Sequence, residues 1–336
     1  MKKTLLALTM AAATFGAIQT ANACSYATFE MDGNAFVARS MEAPDFMQEH
    51  LVTVPQGYAI NGKSGEVGFI GMRHGDTEWI SSGLNEHGVN VESLALVESK
   101  YAAEGEGDAN YLEVTGFILA NAKSVDEAVK ILKKTKVETT KIAVAHDLEI
   151  GMHFAIRDAK RAIVVEYVDD SGYPTIYEND LGAMTNDPAY PVQVELAEAA
   201  IKEVNARTSE TLDTFDKRDS GPDGRFTRVA TVLAAMDQNP KAGDIRDNGV
   251  ARAFALLNDM EIVPGTMYWE WVSPDPQMVG YGNVVDIANK DYYFRTADNQ
   301  QIRKVDLDKI DFSTIKYTST TIYGIEPAFQ DVTMTQ

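Results

Sequence analysis

A single cysteine in 336 residues leaves no partner for an internal disulfide, no CxxC redox pair and no cysteine-based zinc finger. Basic residues are also scarce: 30 Lys and Arg stand against 50 Asp and Glu, giving a formal charge of −20 and a pI near 4.6. Such a chain repels polyphosphate, and no basic patch in it would draw it to nucleic acid or an anionic membrane surface. Beyond residue 23 no run approaches the roughly 18 consecutive apolar residues of a membrane helix. The histidines, His50, His74, His87, His146 and His153, show neither HExxH nor a close metal-ligand spacing. There is no GxSxG elbow, and the carboxylates form no recognisable acid/base pair. No cofactor is expected, and a structural metal stays open with no residue pattern to support it.

What is present begins with a leader. Lys2 and Lys3 form a basic start, Leu5 to Ile18 is almost wholly apolar, and Ala21-Asn22-Ala23 has the A-x-A form of a signal-peptidase site. The pattern predicts a cleaved secretory signal over residues 1–23 and a periplasmic or secreted product, and the remaining length, 24–336, suits a single domain. Cleavage would place the only thiol, Cys24, on the only free α-amine. A thiol is the strongest common side-chain nucleophile, and an α-amine, with an ordinary pKa of about 7.7–8.0, is a base near neutrality. The competing processing is lipidation of Cys24, which favours Leu three residues earlier, where this chain has Ala21.

After Cys24, Ser25 to Phe29 and Ala35 to Arg39 are strand-like and flank Asp32-Gly33, a strong hairpin signal. The second strand then runs into Arg39-Ser40-Met41-Glu42 and carries a guanidinium and a carboxylate back towards the amino terminus. A cation there lowers a thiol pKa, and a carboxylate can hold an α-amine. Further along stand Gly83-Leu84-Asn85-Glu86-His87-Gly88-Val89, Met184-Thr185-Asn186-Asp187-Pro188, Gly224-Arg225-Phe226-Thr227-Arg228 and Tyr292-Tyr293-Phe294-Arg295-Thr296. With the Cys24 and Arg39 to Glu42 stretch, these resemble, in order, the motifs of the choloylglycine hydrolase and penicillin V acylase family, linear amide C–N hydrolases with an N-terminal nucleophile.

That resemblance implies roles. Cys24 is the nucleophile and its α-amine the general base; Arg39 sits against the thiol; Glu42 takes the place of an Asp that hydrogen-bonds the amine. Asn186 donates to the oxyanion, and Arg225 completes the polar network. Two positions depart from the family pattern. Glu42 is one methylene longer than Asp, and Ala95 stands where relatives carry a substrate-sensing Asn, Tyr or Trp. Its backbone amide can still serve an oxyanion hole, but its side chain cannot discriminate acyl groups. The resemblance further implies a small N-acyl amide substrate, no cofactor, and assembly as a homotetramer. Penicillin V acylase-like activity is the first expectation and conjugated bile salt hydrolysis the second. A lipid-anchored or periplasmic binding protein is the reading from another class.

Gly57-Tyr58-Ala59-Ile60-Asn61-Gly62-Lys63-Ser64 matches the P-loop pattern, but the glycine-rich, strand-like residues after it predict a hairpin rather than the phosphate-holding helix that the pattern needs. Helices are expected over Tyr111 to Ala122, Val125 to Val137, Val192 to Ala206, Phe226 to Met236 and Val250 to Met260. Strands are expected over Met152 to Ile156, Ala162 to Val168, Thr266 to Ser273, Asn283 to Ala288 and Tyr292 to Thr296, and a loop over Thr208 to Asp223. Strands flanking a helical middle suit an α+β fold, the four-layer α/β/β/α sandwich of two packed antiparallel sheets that the resemblance implies.

Overall fold

A computed structural model describes residues 24–43, 48–143, 147–205, 221–236, 248–268 and 273–333. The leader, most of the expected 208–223 loop, Trp269 and Trp271 lie outside the described residues. The first strands are β1 (Ser25–Met31), β2 (Asn34–Ala43), β3 (Glu49–Val54), β4 (Ala59–Ile60), β5 (Lys63–Ser64), β6 (Phe69–His74), β7 (Ile80–Asn85) and β8 (Asn90–Ala95). Then come β9 (Ala109–Asn110), α1 (Val114–Asn121), α2 (Val125–Leu132), β10 (Val137–Glu138), β11 (Met152–Arg157), β12 (Ala162–Glu166), β13 (Thr175–Glu178) and β14 (Ala183–Met184). The chain continues through α3 (Tyr190–Asn205), α4 (Pro222–Ala235), α5 (Gly249–Met260), β15 (Met278–Asp286), β16 (Asp291–Thr296), β17 (Arg303–Asp306) and β18 (Thr318–Thr321).

Two antiparallel sheets carry the architecture. One has the order β14-β1-β2-β15-β16-β17, the other β13-β12-β11-β8-β7-β6-β3-β18. Helices α3, α4 and α5 cover the first sheet, with α4 and α5 against its strands, and α1 lies on β7 and β8 of the second with α2 beside it. This is the expected four-layer α/β/β/α sandwich. Strands β1 and β2 are buried on both faces, which is why their sequences show no clean polar–apolar alternation. Tyr26, Phe29 and Trp79 are buried in the core cluster.

The Asp32-Gly33 turn has φ of 53° and 76°, the positive pair that a two-residue hairpin turn requires. Asn61 and Gly62 do the same between β4 and β5 (φ 50° and 71°), so the P-loop-like stretch is a hairpin leading into a strand. Several expectations need correction. Helix α2, capped where Ser124 Oγ accepts from Glu127 N at 3.2 Å, ends at Leu132, and Val137 instead pairs with Ala109. The expected loop through Asp223 ends earlier, because Pro222 opens α4 at a position where its missing N–H costs nothing. Within the described part of 266–273 the only strand-like pairing is a bridge from Tyr268 to Pro276.

Candidate active site

Register alone decides what surrounds Cys24. Ser25 pairs with Ser40 on β2, and Tyr26 pairs with Met184 on β14. Continued to the residue before β1, the two antiparallel registers set Cys24 opposite Met41 on one side and Asn186 on the other. The Cys24 Sγ lies 3.6 Å from Met41 Sδ and 3.7 Å from the Glu42 carbonyl oxygen, and the residue is 6% exposed. Burial pushes the thiol pKa up, and the Arg39 guanidinium is the largest influence pulling it down.

Arg39 and Met41 are two residues apart on β2 and so share a face. Arg39 Nη2 is 3.0 Å from Met41 Sδ and donates to the Ser93 carbonyl at 3.0 Å, while the guanidinium lies 5.0 Å from the centre of the Tyr281 ring. Its Nε faces Glu92 Oε2 at 3.8 Å. The other Glu92 oxygen accepts from Asn90 Nδ2 at 2.8 Å and Asn283 Nδ2 at 3.0 Å. Burial raises the Glu92 pKa and Arg39 opposes that rise. Arg39 is therefore a buried cation near the thiol whose charge is shared with a buried carboxylate. Glu42 is a different case: its carboxylate is buried, neither oxygen has a hydrogen-bond partner, and burial pushes its pKa up to about 8 against the pull of Arg225.

On the other side of Cys24, Asn186 donates from Nδ2 to the Ala95 carbonyl at 2.7 Å, and its Oδ1 accepts from Arg225 Nη2 at 3.0 Å. A partner at each end fixes which end is the amide nitrogen and leaves one N–H of Nδ2 unspent. Arg225 Nη1 also donates to the Cys24 carbonyl at 2.5 Å and to Ser25 Oγ at 2.6 Å. Leu96 N donates to the Gly151 carbonyl, which makes Ala95 and Met152 a non-hydrogen-bonded pair of the β8–β11 ladder. The Ala95 N–H and C=O thus both point away from β11, on the side where Asn186 lies.

A second ring of groups holds this turn. His153 Nε2 meets the Thr185 carbonyl at 2.6 Å and Nδ1 meets Glu166 Oε1 at 3.1 Å, and the same carboxylate oxygen accepts from Tyr190 N at 2.8 Å. Thr185 Oγ1 donates to the Pro222 carbonyl at 2.8 Å and so ties the turn to the helix that carries Arg225. Asp187 accepts from Val97 N and Glu98 N at 3.3 and 3.2 Å, which binds the end of β8 to Asn186. Among the described residues no group of three or more His, Cys, Asp or Glu is placed to hold a metal, and no helix is long and apolar enough to cross a membrane.

A family model for linear amide C–N hydrolases of the choloylglycine hydrolase family matches residues 24–320. The chain belongs to that family. It is therefore a hydrolase of linear amide C–N bonds. It is 24% identical over 322 residues to a bile salt hydrolase/transferase of Clostridium perfringens, covering 86% of this chain and 95% of the relative. It is 25% identical over 345 residues to a penicillin V acylase of Pectobacterium atrosepticum, covering 93% and 88%. Its fold matches a conjugated bile acid hydrolase variant from C. perfringens with a TM-score of 0.76 at 21% identity, over 92% of this chain and 100% of the other. The penicillin V acylase of Agrobacterium tumefaciens matches with a TM-score of 0.70 at 20% identity, over 90% and 95%.

The fold gathers the residues that the sequence singled out, Cys24, Arg39, Glu42, Ala95, Asn186 and Arg225, at one end of the two sheets. Arg39 reaches the thiol through Met41, not by a direct bond. Sequence reasoning missed Glu92, Asn283, His153 and Glu166. Their only advance signal is that they are polar residues inside otherwise apolar strands, the type of position that burial forces into hydrogen bonding.

Proposed function

We propose that residues 1–23 are removed on export to a periplasmic or extracellular space, and that Cys24, then the N-terminal residue, opens N-acyl amides through a thioester. The observation that carries this reading is the register that sets Cys24 between Met41 and Asn186, with Arg225 on its carbonyl and the unpartnered Glu42 carboxylate beside it. The freed α-amine, held by Glu42, takes the thiol proton. The thiolate adds to the amide carbonyl, and the unspent Asn186 N–H with the Ala95 backbone N–H meets the developing oxyanion. Collapse breaks the C–N bond, the ammonium protonates the leaving nitrogen, and an acyl thioester remains. Water, activated by the same amine, then releases the carboxylic acid and restores the thiol.

For the substrate we favour an amide of the penicillin V acylase type, with fatty N-acyl amides as physiological candidates. Supporting this are the P. atrosepticum relative, which aligns over 93% of the chain, and Ala95, whose small side chain leaves room for an acyl group. The runner-up is a conjugated bile salt, favoured by the C. perfringens relative. Amine release from penicillin V, glycine- and taurine-conjugated bile acids and acyl-homoserine lactones ranks these substrates. Intact-mass measurement of the exported protein tests the processing: a free Cys24 amine supports the enzyme, and a diacylglyceryl adduct supports a tethered binding protein. Undiminished hydrolysis by Cys24→Ala would refute the nucleophile.

A further inference from the structure

The two donors assigned to the oxyanion come from different sheets: Ala95 ends β8 of one, and Asn186 follows β14 of the other. Their separation is therefore set by bonds that run between the sheets, and such bonds cluster here. Asn186 Nδ2 donates to the Ala95 carbonyl, the Asp187 carboxylate accepts from Val97 N and Glu98 N, and His153 on β11 reaches the Thr185 carbonyl at 2.6 Å. The Asn186 and Asp187 links are open in part to solvent, whereas His153 is 1% exposed and Thr185 fully buried. The Thr185 carbonyl shares a rigid peptide plane with the Asn186 N–H. Whatever holds that oxygen sets the direction in which the Asn186 side chain leaves the backbone. The next carbonyl, that of Asn186, is held by Gln193 Nε2 at 2.5 Å.

The His153 link needs more hydrogens than a neutral ring can supply. A carbonyl only accepts, so Nε2 carries a hydrogen towards Thr185. On the other side Nδ1 faces Glu166 Oε1 at 3.1 Å, and that oxygen also accepts from Tyr190 N at 2.8 Å. A bare Nδ1 would set a lone pair against a carboxylate oxygen, so a second hydrogen lies between ring and carboxylate. The Tyr190 N–H favours the ionised carboxylate, which assigns that hydrogen to the ring. An imidazolium and a carboxylate, neutral as a unit, are then buried together, and each has a hydrogen-bonded partner. Glu166 Oε2 has no hydrogen-bond partner, and among the described residues no other base is paired with this carboxylate. The titratable groups facing it, Tyr101, Tyr177 and Tyr190, are all pushed up by burial and stay neutral. Around the turn, Arg225 is engaged by Asn186 Oδ1 and Asp187 by the amides at the end of β8.

We propose that His153 is a positioning residue of the amide hydrolysis: as an imidazolium held by Glu166, it fixes the Thr185–Asn186 peptide and with it the amide that meets the oxyanion. This deepens the function proposed above and rests on its assignment of Asn186. Loss of the ring proton leaves one hydrogen for two acceptors. Placed on Nδ1, it leaves the Nε2 lone pair against the Thr185 oxygen at 2.6 Å; placed on Nε2, it leaves Nδ1 against the carboxylate at 3.1 Å. Either way the clamp on the peptide plane weakens. The oxyanion exists only after attack on the carbonyl, so a misplaced Asn186 amide lowers kcat and leaves substrate binding largely intact.

NMR of the nitrogen-labelled mature enzyme, with His153 and Asn186 assigned from the backbone, tests the protonation state. Near pH 7 both ring nitrogens of His153 are expected to carry hydrogen. As the ring loses a proton at higher pH, the Asn186 side-chain amide signal should shift with the same midpoint. In penicillin V hydrolysis, His153→Leu should lower kcat about tenfold with KM little changed, and His153→Gln, whose amide can still donate to the Thr185 carbonyl, should stay within about threefold of wild type. A bare ring nitrogen near pH 7, an Asn186 signal indifferent to the ring proton, equal kcat in wild type and His153→Leu, an equal loss in both variants or a change confined to KM overturns the proposal. Should the variants fail to fold, or penicillin V turn over too slowly to measure, the wild-type spectra decide it alone. The spectra involve no turnover, so their failure leaves the Cys24 reading standing, and full activity of Cys24→Ala would overturn that reading without altering them.

Discussion

The two sides of Cys24 are built differently. On the Asn186 side each end of the amide is held, Arg225 is bound to three acceptors, and His153, Thr185 and Asp187 brace the turn. On the Glu42 side a fully buried carboxylate has no hydrogen-bond partner, and Arg39 leaves Nε and Nη1 without one. An unpartnered buried carboxylate costs free energy, and a native fold tolerates it where a further group is to arrive. One half of the site is hydrogen-bonded throughout; the other keeps a buried carboxylate whose partner, in the function proposed above, is the α-amine that cleavage would free at Cys24.

The largest expected effect comes from removing the centre of that comparison. Cys24→Ala should reduce amine release to background while thermal unfolding stays cooperative; residual turnover near wild type would move the nucleophile elsewhere. Asn186→Ala attacks the complete side and should lower kcat by roughly 10²–10³ with KM little changed, as for the loss of one oxyanion donor. A change confined to KM would make Asn186 a binding residue only.

Glu42→Gln attacks the incomplete side. It should slow acylation roughly tenfold in single-turnover kinetics; a pure rise in KM contradicts that. The same variant sharpens the contrast between the two sides through the stability of the uncleaved chain. With a folded pKa of about 8 against 4.5 for an exposed Glu, the uncleaved native state binds more protons than the unfolded state between those values. Stability should therefore fall as pH rises through that window, with a slope of up to about 1.4 kcal/mol per pH unit from this group. Melting of the Cys24→Ala uncleaved chain against pH, with and without Glu42→Gln, measures the difference, and identical slopes remove Glu42 from the account. The smallest effect belongs to Glu92→Gln. Relieving Arg39 of its counter-charge should lower the apparent pKa of Cys24 alkylation by iodoacetamide by about half a unit to one unit. An unchanged or raised value would mean that the Arg39 charge does not govern the thiol.

Much of this site is readable in the chain because short-range rules suffice for it. Asp32-Gly33 dictates the hairpin, and the hairpin dictates that Met41 and Glu42 return to Cys24. Likewise Ser124 and Glu127 announce the start of α2. Its end was misread because Val137, apolar and in phase with the helix, is taken by a pairing with Ala109 that no local pattern reports. Glu92 and Asn283, 191 residues apart, meet only because β8 and β15 face each other across the sheets. His153 likewise meets Thr185 only because β11 of one sheet and the end of β14 of the other are brought together by the packing of the sheets.

By itself the sequence determined the strand and helix periods, the turn chemistry and the residue types that the reaction needs, since each follows from neighbours a few positions apart. The packing of one sheet on the other decided the rest: which carboxylate stays unpartnered and which one shares the charge of Arg39. Those outcomes depend on burial and on charges brought together from distant strands, and only the folded chain brings them within range of one another.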